Sequence, residues 1–160
     1  MEIEQILGKE LKEKSAKIAV AESCTGGLLA NRITDVSGSS LYFIGSVVAY
    51  SNQVKKDILG VKKDTLSNCG AVSSEVSKEM ARGILELLKV DLAVSTTGIA
   101  GPTGGTMDKP VGLVYIGLAD NQGNLQSFKK QWDGNRLENK ENTADKAMRI
   151  VLEHISSISD

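Results

Sequence analysis

Histidine and cysteine are scarce in this sequence of 160 residues, which contains one histidine and two cysteines. Cys24 and Cys69 provide neither a disulfide framework nor a metal-ligand spacing, and a typical zinc site needs more such ligands. His154 falls late in the predicted last helix beside its apolar face, so we interpret it as a structural residue. We expect no metal and no other cofactor. A serine–histidine–aspartate triad has few possible members, because the sequence contains one histidine.

A surplus of positive charge is also lacking, since 19 lysines and arginines face 20 acidic residues for a net charge of −1. Proteins that bind nucleic acid through its phosphates need such a surplus, so no nucleic-acid partner is expected. No apolar run approaches the roughly 20 residues that cross a bilayer. The acidic start, Met1-Glu2-Ile3-Glu4, leads into an amphipathic helix rather than a signal peptide. These features predict a cytoplasmic protein with no membrane partner.

The chain does contain enough apolar residues for one core, at 41% of the sequence, and these are aliphatic because aromatics make up only 4%. Its length fits a single domain over residues 1–160. Sixteen glycines against two prolines is an unusual balance, and the glycines cluster in a few loops. Clustered glycines indicate places where the backbone approaches another group closely.

Hydrophobic periodicity predicts five strands, at Lys17–Ala21, Gly45–Tyr50, Leu92–Thr96, Val111–Ala119 and Leu125–Trp132. Helices are predicted from Ile3 to Leu11, from Gly27 to Asp35, from Asn52 to Leu59, from Ser73 or Ser74 to Leu88, and around Ala144–Ile158. Asn52 is a candidate N-cap, Gly60 a stop signal, and the fourth helix has an apolar stripe of Val76, Met80, Ile84, Leu87 and Leu88. Helices and strands alternate early in the chain, and a hairpin follows late. This order predicts an α/β fold with a mixed sheet covered by helices on both sides.

The first loop of interest is Glu22-Ser23-Cys24-Thr25-Gly26-Gly27, which joins a buried strand to a helix. Backbone amides at a helix N-terminus can bind an anion or stabilise an oxyanion, and the paired glycines leave room for a ligand. The alternative is that Ser23 or Thr25 is merely an N-cap.

The second loop runs from Thr97 to Gly105 and has glycines at 98, 101, 104 and 105. It matches neither the Walker A pattern nor the dinucleotide fingerprint. A plain connector is the alternative to a ligand cradle, and the density of glycine directly after a strand favours the cradle. Loops at the carboxyl ends of strands meet in one crevice, so both loops are predicted to line one small-molecule site.

If Ser23 is a nucleophile, its catalytic base must be a lysine or a tyrosine, because His154 is interpreted as structural. Cys24 as a nucleophile would lack a histidine partner for the same reason. Tyr50 ends the predicted second strand, Asn52 and Lys55 follow it, and the three are spaced to face the same crevice. A buried lysine with a lowered pKa can act as a base near neutral pH. The alternative is that Lys55 is an ordinary surface lysine.

Several motifs, in order, resemble the C-terminal domain of the competence-damage-inducible CinA family. They are Ala21-Glu22-Ser23-Cys24-Thr25-Gly26-Gly27, Tyr50-Ser51-Asn52 with Lys55 and Leu59-Gly60-Val61, Gly70-Ala71-Val72-Ser73, Thr97-Gly98-Ile99-Ala100-Gly101-Pro102 with Gly104-Gly105, and Lys109-Pro110-Val111-Gly112. The resemblance spans nearly the whole chain and is closest to the stand-alone members, which include nicotinamide mononucleotide deamidase. It implies a three-layer α/β/α sandwich. Larger relatives carry an N-terminal molybdopterin-binding-like domain, whose activities are not transferred to this chain.

The same resemblance implies hydrolysis of nicotinamide mononucleotide to nicotinate mononucleotide and ammonia, a step in recycling of pyridine nucleotides. In that reading Ser23 attacks the amide, Lys55 accepts its proton and Tyr50 relays or orients. Backbone amides near Thr25, Gly26 and Gly27 stabilise the oxyanion. The remaining substrate contacts implied are Asn52, Thr97, Gly98, Gly101, Gly104, Gly105 and Arg136.

The chain departs from the family pattern before the last helix. Members of the family have Gly-Asp-Arg followed by an apolar–arginine pair, whereas this chain has Gly134-Asn135-Arg136 and then Asn139-Lys140. Arg136 and Lys140 either contact a substrate phosphate or simply supply polarity at a helix start. Two other functions stay open: a catalytically silent nucleotide-binding or regulatory module, and a scaffold whose loops form an interface. A homodimer or higher homo-oligomer is a family-level expectation only.

Overall fold

The computed structural model describes residues 1–158 of the chain. Its helices and strands, in chain order, are α1 (Ile3–Glu13), β1 (Ile18–Glu22), α2 (Leu28–Thr34), β2 (Phe43–Val48), α3 (Asn52–Asp57), α4 (Lys63–Cys69), α5 (Ser74–Leu88), β3 (Leu92–Gly98), β4 (Leu113–Asp120), β5 (Leu125–Gln131) and α6 (Arg136–Ser157). A short 3-10 helix, Ser39–Leu41, precedes β2. No helix in this part of the chain is long and apolar enough to cross a membrane.

The strands form one mixed sheet in the order β2-β1-β3-β4-β5. β1 pairs in parallel with both β2 and β3, whereas β4 is antiparallel to β3 and to β5. The late hairpin predicted from Asp120–Asn124 is the β4–β5 connection. The mixed sheet expected from the sequence is confirmed. Because β1, β2 and β3 run the same way, all three end at one edge of the sheet, which we call the carboxyl edge.

Two apolar clusters cover the two faces of the sheet. Ile18 and Val20 of β1 point into a cluster with α1, α2 and α6, while Ala19 and Ala21 point into a second cluster with α5. Alternate residues of a strand face opposite sides, so β1 is buried along its whole length. The α/β/α sandwich is therefore confirmed.

Helix α5 packs unusually close to the sheet because the strand beneath it has a glycine. A Cβ on Gly117 of β4 would lie 2.1 Å from the carbonyl oxygen of Ser77. The hydroxyl of Ser95 on β3 donates to that same oxygen at 2.5 Å. Small residues in the strands thus bring the start of α5, and the segment before it, against the carboxyl edge.

Several predicted boundaries are wrong by a few residues. The second strand is Phe43–Val48 rather than Gly45–Tyr50, because the chain turns after Ala49 into α3. The N-cap of α3 is Ser51 and not Asn52, since the Ser51 hydroxyl accepts from the amide of Val54 at 3.2 Å. Helix α4 was not predicted, because Leu66 is its only large apolar residue.

The prediction for α5 is mostly confirmed. Ser73 is its N-cap, and Val76, Met80 and Ile84 are fully buried. Leu87 does not belong to the buried stripe, because it is 49% exposed on the outer side of the helix.

His154 lies at the edge of the sheet opposite to the carboxyl edge, where it contacts the end of β4. Its Nε2 lies 2.8 Å from Oδ2 of Asp120, the last residue of β4. Burial by itself raises the pKa of the Asp120 carboxyl, but hydrogen bonds from Asn124, His154 and the amide of Gln122 outweigh it, so the pKa is lowered. This cluster ties α6 to the β4–β5 hairpin.

We expect Asp120→Asn to lower the free energy of unfolding by about 1–2 kcal/mol at pH 7. Since the folded-state pKa of Asp120 is below its unfolded value, its contribution is present above the unfolded pKa and is lost as the pH falls through the folded pKa. The difference between the variant and the wild type should shrink below about pH 4. Urea unfolding at pH 7 and pH 3 measures both values, with Asp108→Asn on an exposed loop as control. A pH-independent difference would contradict this account.

Candidate active site

The carboxyl edge brings together residues that are far apart in the sequence. Ser23 follows β1, Tyr50 and Lys55 follow β2, and Thr97 and Gly98 end β3. Helix α6 begins beside them at Arg136 after β5 returns to the same edge. The convergence of loops after parallel strands is confirmed.

A cleft of about 200 Å³ opens at this edge. Its walls include most of the residues predicted for the site, together with four that were not predicted. The predicted residues in its lining are Ser23, Tyr50, Asn52, Lys55, Thr97, Gly98 and Arg136, and the others are Cys24, Ala71, Val72 and Ala100.

Lys55 and Ser23 meet inside this cleft. The Lys55 side chain is 1% exposed, and its Nζ lies 3.0 Å from Oγ of Ser23. The same nitrogen donates to the backbone carbonyl of Tyr50 at 3.0 Å. The alternative of a surface lysine is therefore wrong, because α3 turns this side chain inward from its single buried position.

Burial lowers the pKa of Lys55, because the ammonium form is poorly solvated inside the cleft, although the nearby Cys24 acts in the opposite direction. Among residues 1–158, no carboxylate forms an ion pair with Lys55. Without such a partner, the neutral amine is favoured more than it is in an ordinary lysine. A neutral amine can accept the proton of the Ser23 hydroxyl.

Cys24 lies beside Ser23 but has different chemistry. It is 7% exposed, and burial together with the nearby Glu22 raises the pKa of its thiol to about 12. A thiol with this pKa stays protonated near neutral pH and is a poor nucleophile. The hydroxyl of Ser23 is the nucleophile candidate that has a base at hydrogen-bond distance.

Tyr50 occupies the mouth of the cleft rather than its floor. Its ring is 61% exposed, and its hydroxyl accepts from Nη2 of Arg136 at 3.2 Å. Nη1 of Arg136 donates to the carbonyl of Gly101 at 2.8 Å. The hydroxyl of Tyr50 thus contacts Arg136, whereas the backbone carbonyl of Tyr50 contacts Lys55.

Only the start of the first glycine loop reaches the cleft, since Ser23 and Cys24 line it and Thr25, Gly26 and Gly27 do not. Thr25 is fully buried, and Gly26 and Gly27 donate their amides to internal acceptors, the carbonyl of Ser23 and the carboxylate of Glu22. With these partners, the amides of Gly26 and Gly27 already have acceptors within the protein.

The second glycine loop also contributes less than expected. Thr97 and Gly98 line the cleft, whereas Gly101, Gly104 and Gly105 do not. Gly105 packs against Val111, where a Cβ would lie 2.7 Å from the backbone nitrogen. The exposed part of the loop is anchored by Lys109, whose Nζ donates to the carbonyl of Cys69.

Comparison with known proteins matches residues 1–155 to the family model described as CinA C-terminal domain. The chain belongs to the CinA C-terminal domain family. It is 54% identical over 147 residues to a CinA-like protein of Syntrophomonas wolfei and 52% identical over 146 residues to one of Endomicrobium trichonymphae. Those matches cover 92% and 91% of this chain but only 35% and 34% of the relatives. The chain spans about a third of the length of these curated relatives.

Solved structures of CinA proteins have the same fold. The competence/damage inducible protein CihA of Agrobacterium tumefaciens matches with a TM-score of 0.92 at 36% identity, over 94% of this chain and 92% of that one. A CinA superfamily protein of Klebsiella pneumoniae matches with a TM-score of 0.93 at 27% identity, over 99% of this chain and 100% of that one. The resemblance in sequence motifs and the three-layer fold therefore agree.

The CinA domain contains a buried acid next to Ser23 that the sequence analysis did not assign. Glu22 is fully buried, and its carboxylate accepts from the Thr25 hydroxyl at 2.6 Å and from the amides of Gly27, Leu29 and Ala30 at 3.2, 2.9 and 3.0 Å. It therefore supplies the acceptors that the start of α2 needs. Glu22 lies too far before the amides of Gly27, Leu29 and Ala30 to match a short-range capping motif. No local sequence pattern therefore indicated this role of Glu22.

We expect Glu22→Ala to lower the free energy of unfolding by about 3 kcal/mol, because it leaves three amides without their acceptor and leaves the buried Thr25 hydroxyl with the Thr96 hydroxyl as its partner. Chemical denaturation measures the change. Glu153→Ala removes an exposed glutamate of α6 and should change stability by less than about 0.5 kcal/mol. Equal, small effects for both variants would contradict the capping role of Glu22.

Proposed function

We propose that this chain is an amidohydrolase that converts nicotinamide mononucleotide to nicotinate mononucleotide and ammonia. The observation that supports this most is the 3.0 Å contact between the buried amine of Lys55 and the hydroxyl of Ser23. A serine with a neutral amine beside it has the parts needed for acyl transfer. Family membership supports the substrate, and the cytoplasm is where we expect the reaction.

In the first step, neutral Lys55 accepts the hydroxyl proton of Ser23 while Oγ attacks the carboxamide carbon. The carbonyl of Tyr50 accepts one N–H of the amine at 3.0 Å, and the neutral amine can turn its lone pair toward the hydroxyl of Ser23 at 3.0 Å. Collapse of the tetrahedral intermediate breaks the carbon–nitrogen bond. The proton carried by Lys55 goes to the leaving nitrogen, so ammonia departs and an ester remains on Ser23.

In the second step, water attacks the ester carbon and Lys55 accepts a proton from that water. The carbon–oxygen bond to Ser23 breaks, and the protonated lysine returns its proton to Oγ. The nicotinate carboxyl is released, and both residues regain their starting forms. No group outside the chain, the substrate and water is needed.

The mouth of the cleft suits the ribose phosphate of the substrate. Arg136 uses two of its five N–H groups on Gly101 and Tyr50, which leaves others for a phosphate. Asn52 faces the same opening, and Thr97 and Gly98 form a wall of the cleft. Lys140 adds a further positive charge next to Gly26.

Ser23→Ala should reduce the release of ammonia from nicotinamide mononucleotide by about 10³-fold or more, because no nucleophile remains beside Lys55. Ammonia production by the purified protein is the measurement, and Ser46→Ala on an exposed part of β2 is the matched control. Substantial turnover by Ser23→Ala would exclude this mechanism. If the wild type binds the mononucleotide in calorimetry but releases no ammonia, the chain is a binding module instead.

Lys55→Met should abolish turnover and stabilise the protein by about 1 kcal/mol at pH 7, because an apolar side chain replaces a buried amine. In the wild type, kcat/KM should rise with pH as Lys55 loses its proton, and the rise should be centred below the pKa of an ordinary lysine. Ammonia release across pH 5–10 and thermal unfolding measure these effects. A profile that falls as the pH rises through this range would contradict the role of Lys55 as a base.

A further inference from the structure

Asn139, in the second turn of α6, is a buried amide that does not line the cleft. It is 1% exposed, and its Nδ2 donates to the carbonyls of Ala100 and Gly134, both at 3.0 Å. Its Oδ1 accepts from the amide of Gly134 at 3.0 Å. These bonds join the segment after β3 to the segment that leads into α6.

Arg136 lies one turn earlier on the same helix and contacts the neighbouring carbonyl of the same segment. Its Nη1 donates to Gly101, directly after the Ala100 carbonyl that Asn139 binds. Ala100 and Arg136 both line the cleft. The position of Arg136 over the cleft thus depends on how the start of α6 is held against this segment.

We propose that Asn139 is a positioning residue that holds the start of α6 against Ala100, so that the guanidinium of Arg136 stays over the mouth of the cleft and receives the anionic group of the substrate. This rests on the proposed function, because it takes that group to be the phosphate of a mononucleotide. Asn139 acts through Arg136 and not through Ser23 or Lys55, which are held by β1 and α3.

Only an amide suits this position. The carbonyls of Ala100 and Gly134 need a donor, while the amide of Gly134 needs an acceptor, and asparagine supplies both from one side chain. Aspartate keeps the acceptor but places a carboxylate beside two carbonyl oxygens. Alanine leaves all three backbone groups without this partner.

A double-mutant cycle tests the proposal, with KM and kcat for ammonia release measured for the wild type, Asn139→Ala, Arg136→Met and the double variant. Asn139→Ala should raise KM about tenfold and change kcat less than about twofold, because the transition-state groups stay in place. In the Arg136→Met background the same change should alter KM less than about twofold. Effects on KM that simply multiply in the double variant would overturn the proposal.

Ser77→Ala is the matched control for lost stability. It removes a buried hydroxyl of α5 that donates to Ser74 and contacts Ser127, and it should lower the melting temperature while leaving KM unchanged. If Asn139→Ala does not fold, Asn139→Asp takes its place in the cycle, since it keeps the bond from Gly134. A KM that follows melting temperature in all variants, Ser77→Ala included, would overturn the proposal.

A crystal structure of the Asn139 variant supplies a readout that does not depend on activity. We expect the guanidinium of Arg136 to leave the Gly101 carbonyl in that structure. If it stays in place, Asn139 does not position Arg136 and the proposal fails. If instead the wild type neither binds nor hydrolyses the mononucleotide, the proposed function fails, while the position of Arg136 still decides whether Asn139 holds it.

Discussion

The carboxylate of Glu22 is the internal contact on which the arrangement of the site depends. It ends β1, is fully buried, and accepts hydrogen bonds from Thr25 and from three amides at the start of α2. The turn that contains Ser23 is therefore closed by an acid from within the chain and not by a bound anion. In the proposed function, recognition of the anionic substrate therefore falls to Arg136 at the mouth of the cleft.

A second buried charge-bearing group, Lys55, has the opposite character. Glu22 has a full set of donors, whereas Lys55 has one carbonyl and one hydroxyl as partners and no acid. The first arrangement satisfies the amides at the start of α2, and the second favours the neutral amine. In the proposed function, reactivity is gained at Lys55 where stability is given up, as is common for active sites.

The two edges of the sheet divide structural and chemical roles. At one edge, His154 and Asp120 join α6 to the β4–β5 hairpin. At the other, the same helix begins with Arg136 and Asn139 against the segment after β3. Helix α6 is thus anchored at both ends, and the apolar cluster between them buries Ala147, Met148 and Val151. A rigid helix is a suitable base for a residue that must stay over the cleft.

The sequence by itself determined the layers, the mixed sheet and the meeting of the loops at the carboxyl edge, because hydrophobic periodicity and loops after strands are local patterns. It also singled out Ser23 and Lys55 as candidates. Only the tertiary structure decided that Lys55 is buried against Ser23, that Glu22 caps α2 and that Asn139 holds the start of α6. Each of these depends on groups brought together from distant parts of the chain, or on the direction in which a side chain points, and short-range spacing does not contain that information.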